Sequence, residues 1–510
     1  MTARGTSTYW ELVATAAERA PDRMVLSDDH GRSLTTQGLH DAACGTAAAL
    51  AERGVGPGSI VSWQLPTTLE AMVVMAALTR LGAVQNPIIP VLREKEVGFI
   101  TAQSGTEFLL VPETWRGYGH GALARSLAAA GGFEAIVIDH DTSPERGLRC
   151  PFGDPSGLPS APEHGEAARW IYYSSGTTAA PKGVRHNDLS IVAGSAGVVG
   201  MVGTAPDPNR TSDVNPIAFP ISHIGGAAML AAALLTDMRL VLFDAFDPAT
   251  TPFAIAAHGP TFLGTATPFY VAYLAAQRSH GAEPLFPNLR ACLAGGGPIT
   301  AELGRQVREA LGVRGIANAW GLTEFPVATS PAFDSTPDLL DHTVGRPVSG
   351  VSVRVSSAGE LLLKGPQCFL GYVDAELDAD AFDAEGWFRT GDLGTVDVEG
   401  NVRVTGRTKD AIIRNAENVS ALEVEGVLAT CPGVADVAVI GVPDERTGER
   451  VCAVVVSSPD AAVTLAALVD HCLAAKLARY KHPERMELVD DLPRNALGKV
   501  LKKELRATFG

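Results

Sequence analysis

Tyr172-Tyr173-Ser174-Ser175-Gly176-Thr177-Thr178-Ala179-Ala180-Pro181-Lys182-Gly183-Val184 is the stretch on which the reading of this 510-residue chain turns. An apolar strand candidate, Trp170 to Tyr173, runs into it, and hydroxyls, two glycines and a lysine follow at once. Small residues let backbone N–H groups approach an anion. Hydroxyls donate further bonds, and a lysine supplies charge. The segment predicts a phosphate-cradling loop, although the spacing GxxxxGK[ST] is absent. The bland alternative for such a segment taken alone is a flexible Ser/Thr/Gly surface turn.

Outward from this loop, helical and strand-like periods alternate, which predicts α/β architecture. Leu69 to Leu81 predicts a helix closing at Gly82. Glu107 to Val111 and Ala135 to Asp139 predict short strands, and residues 140–167 an exposed loop. The apolar run Ala227 to Leu235 predicts a buried helix. After about residue 340 the pattern turns to β. Val351, Val353 and Val355 alternate, Ser357-Ala358-Gly359 turns, and Leu361 and Leu363 alternate back, while a second strand pair flanks Glu399-Gly400-Asn401. The last hundred residues read as a separate unit. Ser420-Ala421-Leu422-Glu423 opens a helix to about Thr430. Strands are expected at Val437–Val442 and Val451–Val456, then a helix over 465–478 with Leu465, Leu468, Val469, Cys472, Leu473 and Leu477 on one face.

Bulk properties narrow the function. Lys and Arg total 41 against 57 Asp and Glu, a formal net charge of −16. A nucleic-acid partner needs a basic face, so none is expected. No apolar run reaches the ~20 residues that span a bilayer, so no membrane span is expected. The start, Met1 to Thr6, has no apolar segment of signal-peptide type, and the seven scattered cysteines form no CxxC. A cytoplasmic location with reduced thiols is the expectation.

Further clusters follow in order. They are Phe219-Pro220-Ile221-Ser222-His223-Ile224-Gly225-Gly226, then Ala294-Gly295-Gly296-Gly297-Pro298, Asn318-Ala319-Trp320-Gly321-Leu322-Thr323-Glu324, Trp387-Phe388-Arg389-Thr390-Gly391-Asp392-Leu393, Gly406-Arg407-Thr408-Lys409-Asp410 and Leu492-Pro493-Arg494-Asn495-Ala496-Leu497-Gly498-Lys499. Each alone has an ordinary structural explanation: a core histidine, a tight turn, a solvated charge. In this order, together with the loop at 174–183, they resemble the adenylate-forming superfamily of acyl-CoA synthetases, adenylation domains and luciferases, along nearly the whole chain and closest to the acyl-CoA ligases.

The resemblance implies a large N-terminal domain of α/β lobes with a small β-barrel-like part, residues 1–406. A small mobile α+β lid, residues 407–510, would carry the catalytic lysine. It implies ATP-dependent activation of a carboxylic acid to an acyl-adenylate, then transfer to coenzyme A, with ATP, Mg²⁺ and coenzyme A as required molecules. By resemblance Ser174, Ser175, Gly176, Thr177, Thr178 and Lys182 hold phosphates. Gly295, Gly296, Gly297, Trp320 and Gly321 border the adenine, with Trp320 stacking on it. Thr323 bonds the α-phosphate, and Glu324 is the Mg²⁺ ligand. Asp392 and Arg407 take the ribose, Lys409 is the hinge, and Lys499 is catalytic, with Lys502 and Lys503 solvated beside it. His223, Ile224, Gly225 and Gly226 line the acyl pocket. Pro220 and Ile221 stand where amino-acid-activating relatives carry an aspartate, which disfavours an amino acid substrate because a buried, unpaired ammonium is costly. Small residues around 225–228 and 295–296 point to a bulky apolar acid.

One departure concerns the second half-reaction. Ala416 stands in the post-hinge loop where relatives carry glycine. An enzyme specialised for one half-reaction therefore remains open, as does loading of a carrier-protein phosphopantetheine. A luciferase-type oxygenase and an inactive nucleotide-binding regulator are more distant alternatives. A homodimer is left open.

Overall fold

The computed structural model describes residues 8–139, 147–174, 181–202, 212–414, 417–459, 461–495 and 498–510. It is a mixed α/β structure of five sheets. The helix Leu69–Leu81 forms as its spacing predicts. Thr68 caps its start by accepting from the Ala71 N–H at 3.3 Å, and Gly82 ends it in the left-handed conformation. Every face of this helix is buried except at Arg80, which suits a helix that is apolar all round.

A seven-stranded sheet carries the phosphate-loop hairpin. Its strand order is Gly371–Tyr372, Lys182–Asn187, Ala168–Ser174, Val84–Pro87, Ile60–Trp63, Phe108–Val111, Glu134–Val137. Ala168–Ser174 and Lys182–Asn187 pair antiparallel, with Ser174 opposite Lys182. Residues 175–180, which include the expected phosphate contacts Ser175, Gly176, Thr177 and Thr178, lie outside the described residues, as does Ala416.

In a second sheet Ala291–Gly295 runs parallel to Ile316–Leu322, with Gly295 beside Ala319. Ile316–Leu322 then turns back antiparallel into Phe325–Ser330, with Leu322 opposite Phe325. Thr323 and Glu324 are thus the two residues at the tip of a hairpin. The β-rich part is a four-stranded antiparallel sheet of Ser352–Val355, Glu360–Lys364, Phe388–Val396 and Val402–Arg407. It shares one apolar core with Trp320, Phe325, Phe369 and Tyr372.

After Arg407 a short 3₁₀ turn, Thr408–Asp410, leads into Ala411–Arg414, which belongs to a different sheet with Glu417–Ser420, Gly448–Ser457, Val434–Asp444 and Arg485–Leu488. That last sheet has apolar clusters of its own on both faces. Ser420 caps Ala421–Leu428 by accepting from the Glu423 N–H at 3.1 Å.

Four expectations need correction. The helix expected over 465–478 stops at Ala474, and Leu473 is 43% exposed, because only Leu468 and Cys472 reach the core from it. Within the loop expected to be exposed, Leu148, Cys150, Leu158 and Ala161 pack against the main core. Lys502 is not simply solvated: its Nζ lies 2.7 Å from Glu425 Oε1. Burial pushes the Glu425 carboxyl up, and the Lys502 charge opposes that shift. Finally, the small residues after His223 do not open a pocket. A Cβ on Gly226 would lie 2.0 Å from the Ile221 carbonyl oxygen, and Ala227 and Ala228 are buried in apolar clusters, so these positions serve close packing of the turn and helix.

Candidate active site

The segment 219–226 is held from two sides. The Thr67 hydroxyl donates to the Phe219 carbonyl at 2.9 Å and accepts from the Ile221 N–H at 3.3 Å. The His223 N–H closes a turn on the Pro220 carbonyl at 3.0 Å. His223 then caps the helix Ile224–Leu235, its Nδ1 accepting from the Gly225 N–H at 3.2 Å. Loss of water around the ring pushes the imidazole down to about 4. At neutral pH the ring is therefore neutral, and with Nδ1 used as an acceptor its proton sits on Nε2.

A narrow cleft of about 20 Å³ is lined by His223 and Ile224 together with Ser222, Thr323, Tyr172, Tyr173, Ile100 and residues 87–89 and 92. Sequence reasoning found His223 and Ile224 but missed the wall formed by Pro87, Ile88, Ile89 and Leu92. That wall is pinned from behind: the Gln64 amide donates to the carbonyls of Ile89, at 3.1 Å, and Leu92, at 2.9 Å. The motif Gln85-Asn86-Pro87 following a buried helix was the available signal, since ligands in such folds gather at the carboxyl ends of parallel strands.

Thr323 is placed through its carbonyl, which accepts from His186 Nε2 at 2.7 Å. Burial lowers His186 to about 4, so it is neutral and donates this bond. Beside Thr323, Glu324 Oε1 accepts from the Tyr372 hydroxyl at 2.9 Å, and Lys182 Nζ lies 5.1 Å from the Tyr372 ring centre. Burial and the Glu324 charge push the Tyr372 phenol up, so it stays a donor. Tyr372 thus joins Lys182 to the hairpin-tip Glu324, a contact no local pattern announced.

The glycine run faces open space. Gly296 has φ +81°, which L side chains rarely adopt, and a Cβ on Gly296 or Gly297 would meet nothing within 4 Å. Asn318 donates to the Gly297 carbonyl at 3.3 Å while its buried Oδ1 has no partner. An unpaired buried acceptor beside an open glycine turn fits an amine-bearing flat ring. Trp320 is 7% exposed, packed in the β-rich core, and its indole N–H donates to Asp392 Oδ2 at 2.8 Å. Arg407 Nε donates to Asp392 Oδ1 at 2.6 Å, across a registered pair of strands. The Asp392 carboxylate, 3% exposed, is therefore held rigid with one further lone pair on each oxygen.

Lys499 arrives from the far end of the chain. Its N–H donates to Asn495 Oδ1 at 2.9 Å, and its carbonyl accepts from the Asn495 N–H at 2.9 Å. Gly498, at φ +78°, packs so tightly on the large domain that a Cβ there would lie 2.6 Å from Pro268 Cγ. Lys499 is exposed as a residue, yet surrounding protein dehydrates its ammonium and lowers it to about 8. Arg407 adds to that shift, and Asp392 and Asp410 oppose it. Asp410 in turn accepts from Arg506 at 2.9 Å, tying the last helix to the turn that holds Lys409. The structure thus brings His223, Thr323, Glu324, Lys182, the glycine run, Trp320, Asp392, Arg407 and Lys499 to neighbouring surfaces built from seven separate segments. Gly321 serves packing as well, since a Cβ on it would lie 2.4 Å from the Val327 nitrogen.

The comparisons with known proteins agree with this architecture. The family model described as AMP-binding enzyme matches residues 13–373, and that described as AMP-binding enzyme C-terminal domain matches residues 423–499. The chain is 30% identical to the medium-chain fatty-acid–CoA ligase of Escherichia coli, over 98% of this chain and 89% of that one. It is 33% identical to a Mycobacterium tuberculosis CoA ligase for a methyl-dioxo-octahydroindenyl propanoate, over 95% of this chain and 96% of that one. Among solved structures, ATP-bound MatB from Rhodopseudomonas palustris superposes with a TM-score of 0.85 at 27% identity, covering 98% of this chain and 99% of that one. No helix among the described residues is long and apolar enough to cross a membrane. On the matched domains, the relatives and the superposition together, this chain belongs to the AMP-binding, adenylate-forming enzyme family.

Proposed function

We propose that the protein activates a carboxylic acid with ATP and transfers the acyl group to the thiol of coenzyme A, releasing AMP and pyrophosphate. The observation that carries this reading is the juxtaposition of Lys499 with the Asp392–Arg407 pair, reached by docking of Gly498 on Pro268. Two anions must meet when a carboxylate attacks a nucleotide phosphorus, so the site has to supply cations and fixed donors. Lys499 bridges the substrate carboxylate and the α-phosphate. Thr323 donates to that phosphate, Asp392 accepts from the ribose hydroxyls, and the Asn318 oxygen accepts from the adenine amine. His223 offers its Nε2–H to the carboxylate side of the acid. Magnesium bound with the nucleotide neutralises phosphate charge, and Glu324, with Lys182 nearby, is the residue suited to hold it. Lys409 lies in the turn about which residues 407–510 rotate between the two half-reactions.

Apolar walls at Ile88, Leu92, Ile100 and Ile224 favour an acid with a substantial hydrocarbon body over acetate. Pro220 and Ile221 supply no counter-charge for an amino group. The test is a panel of acids assayed separately for pyrophosphate release and for thioester. Ring-bearing or medium-chain acids are expected to turn over faster than acetate and propionate, and amino acids not at all. Faster turnover of acetate refutes the pocket assignment, and absence of pyrophosphate release with every acid refutes the activity. A carrier-protein phosphopantetheine is the second acceptor, and Ala416 in place of the expected glycine bears on both because they present the same pantetheine arm. Thioester on a carrier domain but none on coenzyme A decides for it.

The state of Lys499 gives a pH dependence. Its charged form does the work, and its pKa is lowered to about 8, so the cation is present below that pH and lost above it. The rate constant kcat/KM for adenylation is expected to fall as pH rises through about 8. In Lys499→Arg, whose side chain stays protonated, the remaining activity should show no such fall. A wild-type profile flat to pH 9.5 removes this assignment.

A further inference from the structure

Ser222 is 2% exposed, and its hydroxyl has no hydrogen-bond partner, yet the residue lines the cleft that otherwise presents Ile88, Leu92, Ile100 and Ile224. Buried polar groups in native proteins are nearly always paired, and an orphan costs about 1–3 kcal/mol. An apolar residue at position 222 would avoid that penalty, and the turn does not need the hydroxyl. The turn is held instead by the Thr67 side chain, the Pro220 carbonyl and the His223 cap. The neighbouring Tyr173 hydroxyl is also unpaired, but a Cβ on Gly183 would lie 3.1 Å from it, so that hydroxyl is turned onto the adjacent strand. Ser222 Oγ is therefore the polar point in the wall left for a ligand.

Resting on the acid-activating reading above, we infer that the substrate carries an oxygen function on its acyl body, a hydroxyl or a ring ketone beyond the carboxylate, and that Ser222 Oγ is its hydrogen-bond partner. A hydroxyl donates once and accepts at its lone pairs, so it suits either group. His223 is committed to the helix cap through Nδ1 and keeps only a donor on Nε2 for the carboxylate end. Ser222 and His223 both line the cleft. One residue can then read the acyl body while the next reads the carboxylate.

The experiment compares matched acids on wild-type enzyme and Ser222→Ala by ATP–pyrophosphate exchange. Benzoate is set against its hydroxy derivatives, cyclohexanecarboxylate against its oxo derivatives, and octanoate against hydroxyoctanoates. Wild type is expected to prefer the best oxygenated member over its hydrocarbon partner by about tenfold or more in kcat/KM, the scale of one buried hydrogen bond. Ser222→Ala should bring that ratio to within about threefold through loss on the oxygenated acid alone. Its melting temperature without ligand should equal or exceed that of wild type, because the orphan is gone. A wild-type preference for the hydrocarbon partners overturns the proposal, as does an equal fall on both members of a pair or a melting point lowered by several degrees. Exchange with hydrocarbon acids but no oxygen preference leaves adenylation standing while this inference falls. Exchange with no acid at all removes both.

Discussion

Lys499→Ala is expected to lower the rate of adenylate formation by about 10²–10³, the value of one well-aimed charge in a dry site, or roughly 3–4 kcal/mol. Thioester formation from supplied acyl-adenylate should be spared. The asymmetry follows from where the charge sits. Lys499 is held by two bonds to Asn495, one to its side-chain oxygen and one from its backbone N–H, and its loop is seated on Pro268 by a glycine that leaves no room for a Cβ. Its ammonium lies in the field of Asp392, Asp410 and Arg407. In that position it can neutralise the meeting of carboxylate and phosphate, a need that ends once the adenylate exists. On the proposed reading, rotation about the turn at Lys409 would carry it away before the thiol attacks. Measured separately, the two half-reactions decide the matter. Equal loss in both shows that Lys499 acts structurally, and no loss in the first shows that another cation does the chemistry.

Asp392→Asn should be the next most damaging change, lowering kcat/KM for ATP by about 10²-fold and stability by about 1–3 kcal/mol. Both carboxylate oxygens accept from fixed donors, the Trp320 indole at 2.8 Å and the Arg407 guanidinium at 2.6 Å. An amide has one accepting end, so one of those donors would face an NH₂ group and lose its bond. The rest of the carboxylate's capacity, which the reading assigns to the ribose, would be halved as well. Arg407 is about a third exposed, so solvent screens its share of the loss, and the buried indole accounts for more. Trp320→Phe keeps the ring and removes only the N–H, and is expected to cause a smaller defect in the same direction. Initial rates against ATP concentration, with thermal melting alongside, provide the check. An unchanged ATP dependence in Asp392→Asn excludes the ribose role.

Much of this was legible in the chain. The helix 69–81 and its stop, the strand at 170–173 and the order of the motifs depend on residue spacing within ten or fifteen positions. The resemblance carried by those motifs also points to candidate residues of the right chemistry, Glu324, Asp392 and Lys499. What failed were inferences about surroundings. Small residues near His223 were read as vacant volume, whereas Gly226 is small because the Ile221 carbonyl occupies the place of its side chain. Lys502 was read as solvated, whereas a helix 77 positions earlier offers it Glu425.

The sequence by itself determined the family and the α/β character and offered the candidate side chains, because each of those is written in short-range pattern. Only the tertiary structure decided how the side chains are used. The order of strands in the sheets set Tyr372 against Glu324 and Lys182, joined Trp320 to Asp392, gave the cleft a wall from residues 87–92, and left Ser222 without a partner. Those contacts link segments tens to hundreds of positions apart. The physical reason is that hydration, charge and hydrogen bonding at an atom depend on whatever lies within a few ångströms of it, and periodicity along the chain carries no information about that distance.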